Sequence, residues 1–451
     1  MERERFGSRI GFILLSAGCA IGVGNVWKFP YMVGQSGGGA FLPLYFFFLI
    51  VMGLPIMVME FSVGRASRRS IVRMYDEITP EKKAWKVHGY ASFVGNLLLM
   101  MFYTTVSGWM LKYFVSTAMG KYSGMDSVAV GQAFDTMKES QPWTMIIYMA
   151  IVVILGFFVC SFSLQKGLER ISKYMMIALL VIMIVLAIHG FTQDGAGEGL
   201  TFYLKPDLSK ITFDVVVAAM NQAFFTLSLG IGSMAIFGSY IGKERSLLGE
   251  SVNVVVLDTF VAFVSGLIIF PACFTYGVQP DAGPGLIFKT LPNVFNNMPL
   301  GRLWGSLFFL FMTFAAFTTV LAVFENIISC VRDMTGWSRK KTCLIGCAAM
   351  LVLSLPCVLG FNLLSGFQPF GDGSNVMDLE DFIVSNCLLP LGSLTILFFC
   401  TTKWGWGWNN FMAEANAGKG LRMKNWMRGY VTFVLPLIIL ALFVIGIITK
   451  F

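Results

Sequence analysis

The chain has 451 residues, of which 56% are hydrophobic and only 13% charged, about half the charge of an ordinary soluble domain. That balance excludes a water-soluble globular protein, because no aqueous core can hide so much apolar sequence and the solvent for most of it must be lipid. A net charge of +8 would suit a nucleic-acid binder, but the basic residues fall in short segments between apolar runs, as in a membrane protein with one basic face.

Apolar runs long enough to cross a hydrocarbon core of ~30 Å occur at 10–35, 40–65, 89–117, 143–161, 168–190, 213–240, 250–276, 303–331, 341–360, 380–401 and 428–449. With the N-terminus placed inside, the inner segments hold about 24 Lys and Arg and the outer ones about 7, a bias that the reverse orientation would violate. The segment 65–87 alone carries Arg65, Arg68, Arg69, Arg73, Lys82, Lys83 and Lys86. The expectation is a multi-pass protein with a cytoplasmic N-terminus and, after an odd number of spans, an extracellular C-terminus. The absence of any Asn-x-Ser/Thr sequon and the short outer loops favour a bacterial plasma membrane. Nine cysteines lie mostly within spans, so no disulfide framework is expected. Cys343 and Cys347, one helical turn apart, read as packing, since neither His88 nor His189 joins a ligand cluster. Trp404, Trp406, Trp408 and Trp426 suit an interfacial belt beside the last inner segment.

Two spans contain glycine clusters that a regular helix would not choose, since glycine costs a helix interior up to ~1 kcal/mol relative to alanine. The first runs from Ser16 through Gly18, Gly22, Gly24 and Asn25 to Pro30; the second runs from Asn221 through Thr226 and Ser228 to Gly230 and Gly232. Gly18 and Gly22 alone would fit close helix packing through small residues. Asn25, Thr226 and Ser228 near mid-span argue for more, because backbone freed at that depth must find protein, water or ion partners. Broken helices in spans one and six point to an inverted-repeat transporter with a midplane site. Asp258 interrupts an otherwise apolar run, at a cost of ~2.5–3.5 kcal/mol for insertion; a cation or an interhelical hydrogen bond would offset it. Ala315, Thr318 and Thr319 share one helical face and offer hard oxygen ligands, although threonines in membrane helices commonly bond their own preceding turn.

The runs GCAIGVGNVWKFP from Gly18, GGGAF from Gly37, EFSVGR from Glu60 and QAFFTLSLG from Gln222 resemble the neurotransmitter:sodium symporter family, and the resemblance extends from the N-terminus to span ten. It implies an all-α membrane protein of the LeuT fold: a five-helix repeat over 1–190, its inverted copy over 213–402 with helices 1 and 6 broken, and a cytoplasmic loop and eleventh helix over 403–451. It implies a first sodium site from the carbonyl of Ala20, the side chains of Asn25 and Asp258, both oxygens of Thr226 and the substrate carboxylate. A second would use the carbonyls of Gly18, Ile21 and Ala315 with the hydroxyls of Thr318 and Thr319. The substrate, an amino acid, would set its carboxylate on the amides of Val23 and Gly24 and the hydroxyl of Tyr103. Its ammonium would meet the carbonyls of Ala20, Phe225 and Thr226 and the Ser228 side chain. Leu99, Phe225, Ile231, Val320 and Val323 would surround its side chain. Lys28 with Asp381 resembles an outer gate, and Arg3 with Asp333, near Tyr240, an inner one; Glu60 matches a carboxylate that braces the unwound stretch.

Departures from the family pattern refine these expectations. Gly22 stands where carriers of decarboxylated amines have an acidic residue, which favours an amino acid. Asp258 stands at a usual asparagine and supplies a fixed negative charge, so chloride is not expected to be required, although Tyr45 and Gln222 of the family's anion site remain and Ala262 does not supply a hydroxyl there. Lys28 replaces a more usual arginine, losing bidentate pairing to Asp381, and Ile177 replaces a proline associated with unwinding of span five. The pliable Gly230–Gly232 backbone around Ile231 suggests a branched or aromatic hydrophobic substrate. A pore would need repeated polar faces, and an enzyme a nucleophile with its base or a metal set; neither pattern is present in the sequence.

Overall fold

The computed structural model describes residues 4–277 and 285–450, except for the side chains of Ser127 and Leu286. The described residues form helices joined by short connectors, with no strand among them. Eleven spans follow in order: α1 in two pieces (Arg9–Ala20 and Gly24–Gln35), α2 (Phe41–Ser67), α3 (Lys83–Ala118), α4 (Pro142–Ser161), α5 (Gln165–Phe191), α6 in two pieces (Phe213–Thr226 and Ser233–Gly238), α7 (Leu247–Thr275), α8 (Gly301–Thr335), α9 (Arg339–Leu359), α10 (Val376–Thr401) and α11 (Met427–Ile448). Nine of these, among the described residues, are long and apolar enough to cross a membrane unaided, and the halves of α1 make a tenth, bent by 57°. Outward faces carry exposed Phe47, Ile50, Ile147, Phe158, Ile184, Val256 and Leu437, an apolar surface that soluble monomers do not present on this scale.

The two breaks have different physical causes. In α6 the backbone turns left-handed at Ser228 (φ 50°), Gly230 (φ 98°) and Gly232 (φ 76°), and glycine occupies two of the three positions where a side chain would be strained. In α1 the demand is for space. A Cβ on Gly22 would lie 2.4 Å from the Tyr103 hydroxyl and 2.8 Å from Thr319 Oγ1. Glycine also lets helices touch backbone to backbone around these breaks: a Cβ on Gly64 of α2 would lie 1.9 Å from the Ala235 carbonyl oxygen of α6, and one on Gly238 would lie 2.4 Å from that of Phe61. The second piece of α6, only six residues long, is thereby held by α2 rather than by its own length. α1 lies against α5, α7 and α8, and α8 runs along α3, so both breaks are enclosed within the bundle.

Candidate functional site

The breaks bring together oxygen atoms far apart in the sequence. Asn25, which follows the α1 break, donates from Nδ2 to Oδ1 of Asp258 at 2.8 Å and to its carbonyl oxygen at 3.1 Å. Its Oδ1 accepts from the Gly22 amide at 3.2 Å. Thr226, the last residue of the first piece of α6, places its hydroxyl 3.3 and 3.4 Å from the two Asp258 carboxyl oxygens. Asp258 and Asn25 are fully buried, and these bonds go toward offsetting the insertion cost of the acid.

A second cluster lies where α1 meets α8. The Thr319 hydroxyl is within 3.2 Å of the carbonyl oxygens of Gly18 and Ile21, 3.4 Å of Ala315 and 3.5 Å of Cys19, and the Thr318 hydroxyl donates to the Ala315 carbonyl at 3.0 Å. One hydroxyl carries one proton, so it cannot satisfy four converging carbonyls. Such a cage of neutral oxygens suits a desolvated alkali cation. Both threonines bond the preceding turn as well, so that habit and the converging geometry coexist here.

Between the clusters the Val23 amide donates to the Tyr103 hydroxyl at 3.0 Å. A cavity of about 220 Å³ opens there, lined by Val23, Gly24, Tyr103 and Phe225 at its floor and by Lys28 and Asp381 at its mouth, with Phe102, Val106 and Met377 on its walls. Ala20 ends the first piece of α1, and Ser228 donates its amide to the Phe225 carbonyl at 3.0 Å. Leu99, Val320 and Val323 are buried but do not line this cavity. Val320 instead packs near Gly156 of α4, 3.4 Å from where a Cβ would stand. Ile231 is displaced further. Flanked by two left-handed glycines, it turns toward Gly95 of α3 and lines a different cavity, beside His88 and Leu388.

At the outer gate the expected pair is not formed. Lys28 and Asp381 line one cavity but form no ion pair: the Lys28 ammonium sits 3.8 Å above the Phe225 ring, and Asp381 accepts from the Ser385 hydroxyl at 2.7 Å. A single ammonium can exchange a carboxylate for an aromatic face in a way that a forked guanidinium bound to two oxygens would resist. Arg3 lies outside the described residues. Asp333 accepts from the Ser70 amide at 2.7 Å, and the Tyr240 hydroxyl donates to Glu325 Oε1 at 2.6 Å.

Two groups of residues escaped sequence reasoning. At the basic end, Glu325 is bridged twice by Arg339, at 3.1 and 2.5 Å; Glu4 accepts from the Leu164 amide, and Glu169 accepts from the amides of Gly7 and Ser8. This network fastens the N-terminal segment across α5, α8 and α9. At the α6 break, Glu60 accepts from the amides of Gly230 at 2.5 Å and Met234 at 3.1 Å. His88 Nε2 lies 3.0 Å from the Gly230 carbonyl, and Asn96 donates to that of Ile231 at 2.9 Å. Glu60 was expected there; His88, Asn96 and Asn326 were not, although polar residues on apolar helices are themselves a signal.

Known proteins resemble this chain over nearly its whole length. The profile of the "Sodium:neurotransmitter symporter family" matches residues 3–126 and 121–450. The uncharacterised sodium-dependent transporter YhdH of Bacillus subtilis is 34% identical, with 97% of this chain and 96% of the relative covered. An uncharacterised sodium-dependent transporter of Haemophilus influenzae is 33% identical over 98% of each. The sodium- and chloride-dependent taurine transporter of Bos taurus is 26% identical, covering 99% of this chain and 78% of that protein. The crystal structure of MhsT in complex with L-phenylalanine superposes with a TM-score of 0.87 at 35% identity, covering 99% of this chain and all of MhsT. The fold is therefore the LeuT fold, and the relatives are transporters rather than enzymes. Matched by the profile along nearly its whole length, and by relatives at more than 30% identity, this multi-pass membrane protein belongs to the sodium:neurotransmitter symporter family of sodium-dependent transporters.

Proposed function

We propose that the protein is a sodium-coupled symporter of a hydrophobic, branched or aromatic amino acid, working by alternating access in a bacterial plasma membrane. The reading is carried by one observation: Asn25, Thr226 and Asp258 converge directly beside the Val23–Gly24 floor of the cavity. In this reading Ala20, Asn25, Thr226 and Asp258 bind one sodium ion together with the substrate carboxylate, and Gly18, Ile21, Ala315, Thr318 and Thr319 bind another. The carboxylate docks on the amides of Val23 and Gly24, displacing the Tyr103 hydroxyl from Val23 or sharing it. The ammonium faces the carbonyls around Phe225 and Ser228. Apolar Phe102, Val106, Phe225 and Met377 then meet the side chain, a set that supports a hydrophobic substrate, as does the L-phenylalanine bound to MhsT. Residues 1–190 and 213–402 act as the two inverted repeats, with 403–451 appended. The N-terminus lies in the cytoplasm, on the basic side, and the C-terminus outside.

Because the substrate carboxylate is itself a sodium ligand in this scheme, sodium and amino acid raise each other's affinity by the same factor. The test is sodium-dependent binding of a labelled amino acid, displaced by each of the twenty common ones. Replacing sodium with potassium should abolish binding, and Asn25→Ala or Thr226→Ala should weaken it steeply. Wild-type binding that ignores sodium would refute the coupling.

Asp258 brings its own negative charge to the first ion. Uptake by the purified protein in liposomes is therefore expected to be unchanged when chloride is exchanged for gluconate. A sharp fall would show that a mobile anion, held near Tyr45 and Gln222, is needed after all.

A further inference from the structure

A cavity of about 440 Å³, twice the volume of the one above the α1 and α6 breaks, lies between α3 and α10, within the ~300–1,000 Å³ range of small-molecule pockets. Its lining runs along α3 from Ala84 to Ser92, about 12 Å of helix, and across α10 from Leu388 to Thr395. Val87 (72% exposed) and Leu391 (42% exposed) stand on its rim, so it opens sideways onto the surface that faces lipid. Its inner wall is the unwound part of α6, through Ile231 and through Gly392, where a Cβ would lie 2.0 Å from the Gly230 carbonyl oxygen.

The mouth of this cleft lies at the basic end of α3 and is marked as a membrane interface. Trp85 donates its indole N–H to the Trp404 carbonyl at 2.9 Å, and Lys82 donates to the carbonyls of Lys403 and Gly405 at 3.1 and 2.9 Å. Lys86 is paired with Asp76 at 2.5 Å, and Lys82 faces Glu81 at 4.0 Å. Lys83, next to Ala84 in the lining, and Lys403, next to Trp404, are exposed, and among the described residues neither has an ion-pair partner. Lys83 and Lys403 thus belong to the two segments that meet at the mouth of an apolar slot leading toward mid-membrane.

We propose that this cleft is a binding site for an anionic phospholipid, one acyl chain filling the cavity against His88 and Ile231 and the phosphate group resting on Lys83 and Lys403. The chain would then prop the wall of the unwound segment from the lipid side, opposite the cavity that opens above Phe225. A zwitterionic lipid offers the same chain but carries a cation of its own beside the phosphate, so it gains little from the lysines. At roughly fivefold per interfacial lysine, the two together should favour the anionic headgroup by roughly twenty-five-fold.

The test uses the full chain in liposomes, with a photoreactive diazirine on one acyl chain of either phosphatidylglycerol or phosphatidylcholine, and labelled residues read by mass spectrometry. Phosphatidylglycerol is expected to label residues within 88–92 and 388–395 in preference to phosphatidylcholine. K83Q/K403Q should bring the two lipids level, and L391W, which fills the rim, should suppress labelling of both. Excess unlabelled phosphatidylglycerol should compete on the wild type, which keeps the test valid should a variant fold poorly. Equal labelling by the two lipids, or labelling confined to the exposed rim with Ser92 and Thr395 untouched, would overturn the assignment. The labelling is read without sodium or amino acid, so its failure leaves the transport reading standing.

Discussion

Asp258→Ala is expected to abolish sodium-dependent amino-acid binding, lowering affinity at fixed sodium by roughly two to four powers of ten. The figure follows from breaking a buried polar pair, which costs ~3–5 kcal/mol when one partner is removed and the other stays buried. Asn25 Nδ2 would lose its 2.8 Å acceptor and the Thr226 hydroxyl both of its carboxyl contacts. A bound cation would also lose the side chain that brings a fixed charge. Asp258→Asn keeps the shape and one acceptor oxygen, so it should fold normally and show a smaller loss, with binding now improved by added chloride. Sodium titration of substrate binding in the two variants checks this. A sodium midpoint in Asp258→Ala equal to that of the wild type would mean that the Asn25–Thr226–Asp258 cluster holds no ion and is only an interhelical bond.

The second large effect is expected at Glu60, which reaches neither ion nor substrate in the proposed scheme. Its two carboxyl oxygens accept the amides of Gly230 and Met234, which the break in α6 has released from helical bonding. No lipid can take over that work at this depth. Glu60→Ala leaves two buried N–H groups without acceptors, at ~1–3 kcal/mol each. A total near 3 kcal/mol would leave under about 1% of molecules with the segment in its binding-competent form, and apparent affinity would fall by that fraction. Glu60→Gln should recover little, since an amide offers one oxygen to two donors and turns an N–H toward the other. Substrate binding and thermal unfolding of both variants, with and without sodium, test the point. Sodium should stabilise the wild type strongly and Glu60→Ala hardly at all, and equal protection of the two would remove Glu60 from the brace.

Much of the candidate site was legible because its residues sit in contiguous, compositionally odd runs. Glycines beside Asn25 and Thr226, an acid in an apolar helix and two adjacent threonines each stand out against a lipid-facing background. The braces were less visible. His88 reads at most as a metal ligand, Asn96 has no unusual neighbours in sequence, and the adjacent polar pair Glu325 and Asn326 gives no sign of its partners. Their partners, the carbonyls of Gly230 and Ile231 and the side chain of Arg339, are brought to them only by helix packing. The direction in which Ile231 points is hidden in the sequence for a related reason. Its direction depends on the left-handed turns on either side, and a one-residue rotation of an unwound segment cannot be read from residue types.

The sequence by itself determined that this is a membrane protein of eleven spans, which two spans break, and which residues could offer oxygens to a cation. Hydrophobic length, glycine and buried polarity act locally, within a single segment, and so can be read there. Tertiary structure alone decided which oxygens meet, that Lys28 rests on Phe225 instead of pairing with Asp381, and that Ile231 faces α3 and α10 rather than the cavity above Phe225. Those outcomes depend on ångström distances between segments more than 300 residues apart in the chain, and such distances depend in part on how close glycine lets one backbone come to another.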